Sequence, residues 1–172
     1  MKRLALLLLL AVATGFAAQA QKFAYVDTEY ILNSLDRYKQ AQKDLDDLSV
    51  QWQKTIEAKY AEIDRLYKAY QAEQILLTDD MKRKREDEII AKEKEAKDYQ
   101  KAKFGVDGEL FQKRQELIKP IQDEVYAAIQ EVAEQGSYAV IFDRANQSNI
   151  LYSNPRYDKS DSVLKILKAK GN

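Results

Sequence analysis

The chain switches between short stretches of period two and long stretches of period three to four. Lys22–Asp27 (KFAYVD) alternates, with aromatic and β-branched residues, and predicts a short strand. Asp27 then offers an N-cap for a helix near Thr28, with Tyr30, Ile31 and Leu35 on one side. From about Arg37 to Gln74 the apolar positions are Leu45, Leu48, Trp52, Ile56, Tyr60, Ile63, Tyr67 and Tyr70. Their steps of three or four predict one long helix. Leu45, Ile56 and Tyr67 stand eleven apart, a repeat that keeps a helix nearly straight. At about 1.5 Å per residue this arm is expected to span roughly 57 Å.

Ile75-Leu76-Leu77 is followed by Thr78-Asp79-Asp80, a good N-cap with two carboxylates in the first turn. The turn of a helical hairpin is therefore expected near residues 75–79. A second arm is predicted from Asp80 to about Glu134, carrying Ile89, Ala96, Tyr99, Val106, Leu110, Leu117, Ile121, Val125, Ala128 and Val132. Gly105 and Gly108 are expected to weaken it and Pro120 to bend it. Arms of similar length return the chain to its start. There Tyr138–Asp143 (YAVIFD) and Asn149–Ser153 (NILYS) read as two strands joined by Arg144-Ala145-Asn146-Gln147. Pro155 ends the second strand, and Ser160 is expected to cap a last helix over Asp161–Ala169.

The expected fold is α+β and mainly α: a small β head from residues 21–36 and 135–172, with a C-terminal helix, and a long protruding antiparallel helical hairpin over 37–134. A head of about fifty residues is near the limit for a self-sufficient core, so it is expected to oligomerise. Phe23, Tyr25, Val140, Phe142 and Leu151 are the candidates for that interface, because strand edges also need cover.

Residues 1–20 read as an export signal. Lys2 and Arg3 precede the apolar run Leu4–Ala18, and Ala18-Gln19-Ala20 is a small-x-small cleavage site. A mature start at Gln21 follows, and with no Cys for lipidation the product is expected to be soluble in the periplasm. Lys+Arg and Asp+Glu both number 28, so removing Lys2 and Arg3 leaves a net charge near −2. That balance argues against nucleic acid as a partner. The chain has no His and no Cys, which removes the usual general base, the commonest metal ligand and thiol chemistry. Neither a Gly-x-Ser-x-Gly elbow nor a phosphate-cradling glycine loop occurs. Asp46-Asp47 and Asp79-Asp80 lack a calcium-loop pattern and read as solvated helix charges. No enzyme activity, cofactor or metal is expected.

Three stretches, in order around a long helical insert, resemble the Skp/OmpH-like periplasmic chaperones. They are KFAYVDTEYIL at Lys22–Leu32, FGVDGELFQKRQELIKPIQDEVYAAI at Phe104–Ile129, and the run from Tyr138 through Asn154-Pro155 to Leu167. The resemblance implies a trimer whose strands form a shared β-barrel head, with three hairpins around a cavity. It further implies unfolded outer-membrane proteins as clients and no ATP site. The arms match the family in pattern more than in residues, so client preference does not carry over.

Three groups of residues are candidates for touching a client. Tyr60, Tyr67 and Tyr70 lie near one face of the first arm, where they either pack on the second arm or offer large amphipathic rings. At the turn, Ile75, Leu76 and Leu77 either close the hairpin or present an apolar tip. Lys82, Arg83, Lys84 and Arg85 follow at once; from Lys82 to Lys103 nine basic face six acidic residues. This run either attracts acidic clients and anionic lipid headgroups or is a solvated surface with i,i+4 pairs. The function expected is an ATP-independent holdase for unfolded outer-membrane proteins; the alternative is a structural spacer or adaptor of the cell envelope.

Overall fold

Two strands far apart in sequence pair with each other and bracket the helical excursion between them. In the computed structural model, which describes residues 21–145 and 150–171, β1 (Lys22–Val26) runs parallel to β2 (Tyr138–Asp143). The register sets Phe23 opposite Val140, Ala24 opposite Ile141 and Tyr25 opposite Phe142. Parallel pairing needs a long crossover, and here the crossover is every helix but the last. These are α1 (Thr28–Asn33), α2 (Asp36–Glu73), α3 (Asp79–Phe104), α4 (Glu109–Leu117) and α5 (Lys119–Gly136). A 3₁₀ turn (Pro155–Tyr157) and α6 (Ser160–Ala169) complete the chain. The mainly helical α+β class expected from the pattern is the class observed. The proposed signal peptide and part of the Arg144–Gln147 turn lie outside the described residues.

The chain divides into two compact units: Leu35–Asp123, and the residues up to Ser34 together with those from Glu124 onward. In the second, here called the head, α1 packs against α6, and the segment around the 3₁₀ turn lies along β1. Ile31, Leu167, Val26 and Val163 are its largest fully buried side chains. Each such aliphatic burial contributes roughly 1.5–3 kcal/mol. Polar contacts knit the same elements. The Asp27 carboxylate accepts from the Tyr30 N–H at 2.9 Å and so starts α1. Asp143, at the end of β2, accepts from the Thr28 N–H and hydroxyl at 3.2 and 2.7 Å. Ser160 was expected to cap the last helix, but its hydroxyl instead accepts from the Asp27 N–H at 2.9 Å and donates to Asp158. Asp158 takes the Ser160 N–H as well, so the carboxylate supplies the acceptor expected of the serine.

One expected strand does not form. Ile150–Ser153 carries no strand pairing, and Asn149 lies outside the described residues. The far edge of β1 is occupied instead by the segment after Pro155: Tyr25 bridges to Asp158, and the Lys159 N–H donates to the Tyr25 carbonyl at 2.9 Å. Ile150, Leu151 and Tyr152 are residue types that suit a sheet, but residue type alone does not supply a ladder partner.

The other unit, here called the arm, is a helical hairpin. Ion pairs run in descending register from Arg85–Glu73 to Lys92–Glu62 and Lys59–Glu95, so α3 packs antiparallel on α2. The 38 residues of α2 span about 57 Å. Glu73 ends α2, and Thr78 starts α3 with its hydroxyl accepting from the Met81 N–H at 3.4 Å. The buried positions of α2 are Ala41, Leu45, Trp52, Ile56 and Ile63, and Tyr70 packs against the Ile63–Ile89–Ala96 cluster. The eleven-residue step from Leu45 to Ile56 is kept, but the seam then proceeds by sevens to Ile63 and Tyr70, leaving Tyr67 half exposed. A seven-residue seam inclines two helices so that the same stripe stays in contact, whereas an eleven-residue step is a local adjustment of it.

The return limb also departs from one continuous helix. It stops outright at Phe104, restarts at Glu109, and breaks again at Ile118, two residues before Pro120. At Gly105 a Cβ would lie 2.4 Å from the Lys101 carbonyl oxygen, and at buried Gly108 it would meet three backbone atoms within 3.0 Å. The glycines therefore do more than lower propensity: the turn closes only because they have no side chain.

Candidate client-contact surfaces

Three surfaces collect the residues singled out from the sequence. At the hairpin turn Ile75 and Leu76 are 89% and 86% exposed, whereas Leu77 is half buried. They lie between Gln74, whose N–H donates to the Tyr70 carbonyl and closes α2, and Thr78, which starts α3. The basic run beside them is largely compensated. Lys82 lies 3.9 Å from Asp79, Arg83 3.2 Å from Asp80, and Arg85 3.7 Å from Glu73 and 3.4 Å from Glu88. Exposed pairs of this kind contribute little to stability, but they lower the field the four cations present together. Lys84 is exposed.

The three tyrosines part ways. Tyr60 and Tyr67 keep 41% and 50% of their surface in water. Tyr70 packs in the seam, and its hydroxyl donates to the Glu86 carboxylate. That hydrogen bond holds the Tyr70 phenol above its ordinary range, since ionisation would place an anion against Glu86. Facing the same seam, Lys59 donates to Glu95 at 2.5 Å, and this bond holds the Glu95 carboxyl below the usual carboxylate range.

In the head, Phe23, Val140 and Phe142 lie on the outward face of the strand pair and are 42–47% exposed. The Phe23 and Phe142 rings are 6.4 Å apart. With Ile150, Leu151 and Tyr152 they line an open groove of about 1070 Å³. Leu151 is almost wholly exposed. Tyr25 differs from the other four interface candidates: it is buried, because the Asp158–Lys159 segment lies along its strand and the Arg144 guanidinium stacks 5.6 Å from its ring.

Sequence reasoning passed over a further group at the Gly105–Gly108 break, where Phe104, Val106 and Phe111 are exposed. Two glycines three apart, flanked by aromatic residues, are the signal that would have found it. Among the described residues no group of acidic side chains is arranged to hold a metal ion, and no helix is long and apolar enough to cross a membrane.

The arm pairs two long helices, and the head pairs two short strands. The chain belongs to the OmpH-like outer membrane protein family, which it matches over residues 22–167. Its fold is shared with a crystal structure from Caulobacter crescentus CB15 described as a candidate outer membrane chaperone (OmpH-like), at a TM-score of 0.70 and 18% identity. That match covers 90% of this chain and 88% of the other. A search among curated proteins found no match.

Proposed function

We propose that this chain is an ATP-independent holdase of the periplasm that keeps unfolded outer-membrane proteins from aggregating. The observation that carries the reading is the pattern of the arm surface within a chain of the OmpH-like family. Tyr60, Tyr67 and Ile90 are exposed along the helices, and Ile75 and Leu76 side by side at the turn, on an arm otherwise rich in charge. Many weak apolar and aromatic contacts of this kind suit an unfolded chain of any sequence. Such a protein needs no energy source: it binds the unfolded state by mass action and yields the client when folding elsewhere wins. No catalytic step is assigned to it.

The exposed groove on the head and the outward strand face beside it support self-association, with Phe23, Phe142 and Leu151 from the groove and Val140 from the face at the contact. A trimer is the assembly implied by the family resemblance. The export signal in residues 1–20 delivers the mature chain to the periplasm in this account.

The test is light scattering of a urea-unfolded outer-membrane β-barrel protein diluted into buffer with increasing amounts of the mature protein. The expected result is suppression that saturates at a stoichiometric ratio of assembly to client, without ATP. Scattering that is unchanged at severalfold excess overturns the holdase reading and leaves the spacer role. A mass measurement of the mature protein alone and with client sets the stoichiometry.

A further inference from the structure

The break at Gly105–Gly108 is closed by a charge where the seam has otherwise used apolar side chains. On α3 the seam positions step by seven from Ile89 to Ala96, both buried. The next step of seven is Lys103, whose side chain is 19% exposed. Its ammonium stands 4.8 Å over the Trp52 ring and 5.5 Å over the Tyr99 ring. It is also ion-paired with Glu109, the first residue of α4 beyond the gap. Lys103 thus joins three partners: α2 through Trp52, its own helix through Tyr99, and α4 through Glu109. Trp52 itself is buried at 6%, with Phe104 edge-on at 6.0 Å.

A lysine is a costly choice for such a position. Withdrawing an ammonium from water is unfavourable unless an anion and polarisable faces replace the solvent. Here one carboxylate and two rings do so, and losing the carboxylate leaves an uncompensated cation next to an indole. The long stem then returns the charge to water. α2 is unbroken opposite the gap, and single backbone bonds span the turn, from the Gly105 N–H to Lys101 at 2.8 Å, the Gly108 N–H to Gly105 at 2.9 Å and the Gln112 N–H to Gly108 at 3.1 Å, with a Gln112 side-chain contact to Asp107. Opening therefore requires no helix to unwind.

We propose that Lys103 is an electrostatic clamp that holds the interrupted return limb on Trp52, and that its release uncovers Trp52 and the covered part of Tyr99. Resting on the holdase reading, the uncovered rings are an additional aromatic surface for unfolded polypeptide. The clamp itself is tested without any client, so its failure and that of the holdase reading are separate events.

Trp52 is the only tryptophan in the chain, which makes its fluorescence a direct reporter. The experiment is acrylamide quenching of the full mature protein, wild type, Glu109→Gln and Lys103→Met, at low salt and at about 1 M sodium chloride, where screening acts within about 3 Å. For the wild type, quenching is expected to rise severalfold with salt while the far-UV helical signal holds. Glu109→Gln should show the high-salt value already at low salt. Lys103→Met, which keeps an unbranched side chain without charge, should remain protected at both salt levels. Wild-type quenching that ignores salt overturns the proposal, as does a Glu109→Gln protein as protected as wild type. Should Glu109→Gln lose its helical signal, Lys103→Met decides: salt-independent protection upholds the clamp, and a persisting salt response overturns it.

Discussion

The head and the arm solve the same problem, hiding apolar surface from water, with different residues. In the head four side chains from β1, α1 and α6 are almost wholly buried, and the contacts come from elements distant in sequence. In the arm the seam is one side chain wide. Its deepest member is Ala96, the isoleucines on either side of it keep 8–9% of their surface exposed, and ion pairs flank them. The head is therefore fixed by packing and the arm by a narrow stripe helped by charge. A seam this narrow has fewer buried contacts to lose on local opening than the core of the head.

The largest effect should come from breaking the head. Ile31→Ala removes a fully buried side chain and should cost about 2–5 kcal/mol. Urea unfolding should show the loss, with the head's transition moving and the arm's helical signal lagging behind it. Ile63→Ala should cost less, about 2–3 kcal/mol at the lower end of that range, because the seam can collapse around it. Equal costs at the two sites would remove the contrast.

Val140→Asp acts on neither core. It places a charge on the exposed outward face of the strand pair, so the expected outcome is loss of self-association by mass measurement with the fold of the subunit kept. Wild-type mass would remove that face from the interface.

Acid should separate the two units more gently. Glu95 has its pKa lowered in the folded state by the bond from Lys59. Its contribution is present above the ordinary glutamate value and is lost as pH falls through the depressed one. Tyr70, raised by Glu86, works at the other end: its contribution is present below the ordinary phenol value and lost as pH rises through the elevated one. Urea midpoints of the arm should fall at both extremes, and Glu95→Gln should flatten the acid side alone. An acid slope unchanged by Glu95→Gln would show that the pair does not hold the seam.

How much of this was legible in the sequence follows the same division. The starts at Asp27 and Thr78 could be read because capping is a local matter of one side chain and one N–H. The change of seam from eleven to seven could not. Tyr67 and Tyr70 are both three or four residues from an apolar neighbour, and only the facing Ile89 and Ala96 select Tyr70. Ile150–Ser153 reads as a strand from its apolar and aromatic residue types, but whether a segment joins a ladder is a property of the fold. Lys103 reads as one more solvated cation in a charged helix, since nothing local reveals that Trp52 and Glu109 converge on it.

The central claim, that arm surface captures clients while the head holds the assembly, is tested most directly by shortening the hairpin. Deleting Asp64–Tyr70 and Arg85–Ala91 removes seven residues from each limb and keeps the phase of a seven-residue seam. The measurement is aggregation of a large unfolded outer-membrane protein, by light scattering, with the shortened and full-length proteins at equal concentration of assembly. The shortened protein should keep its mass and cooperative melting while protecting the large client poorly and a small one nearly as well as before. Equal protection of the large client by both proteins would contradict the account.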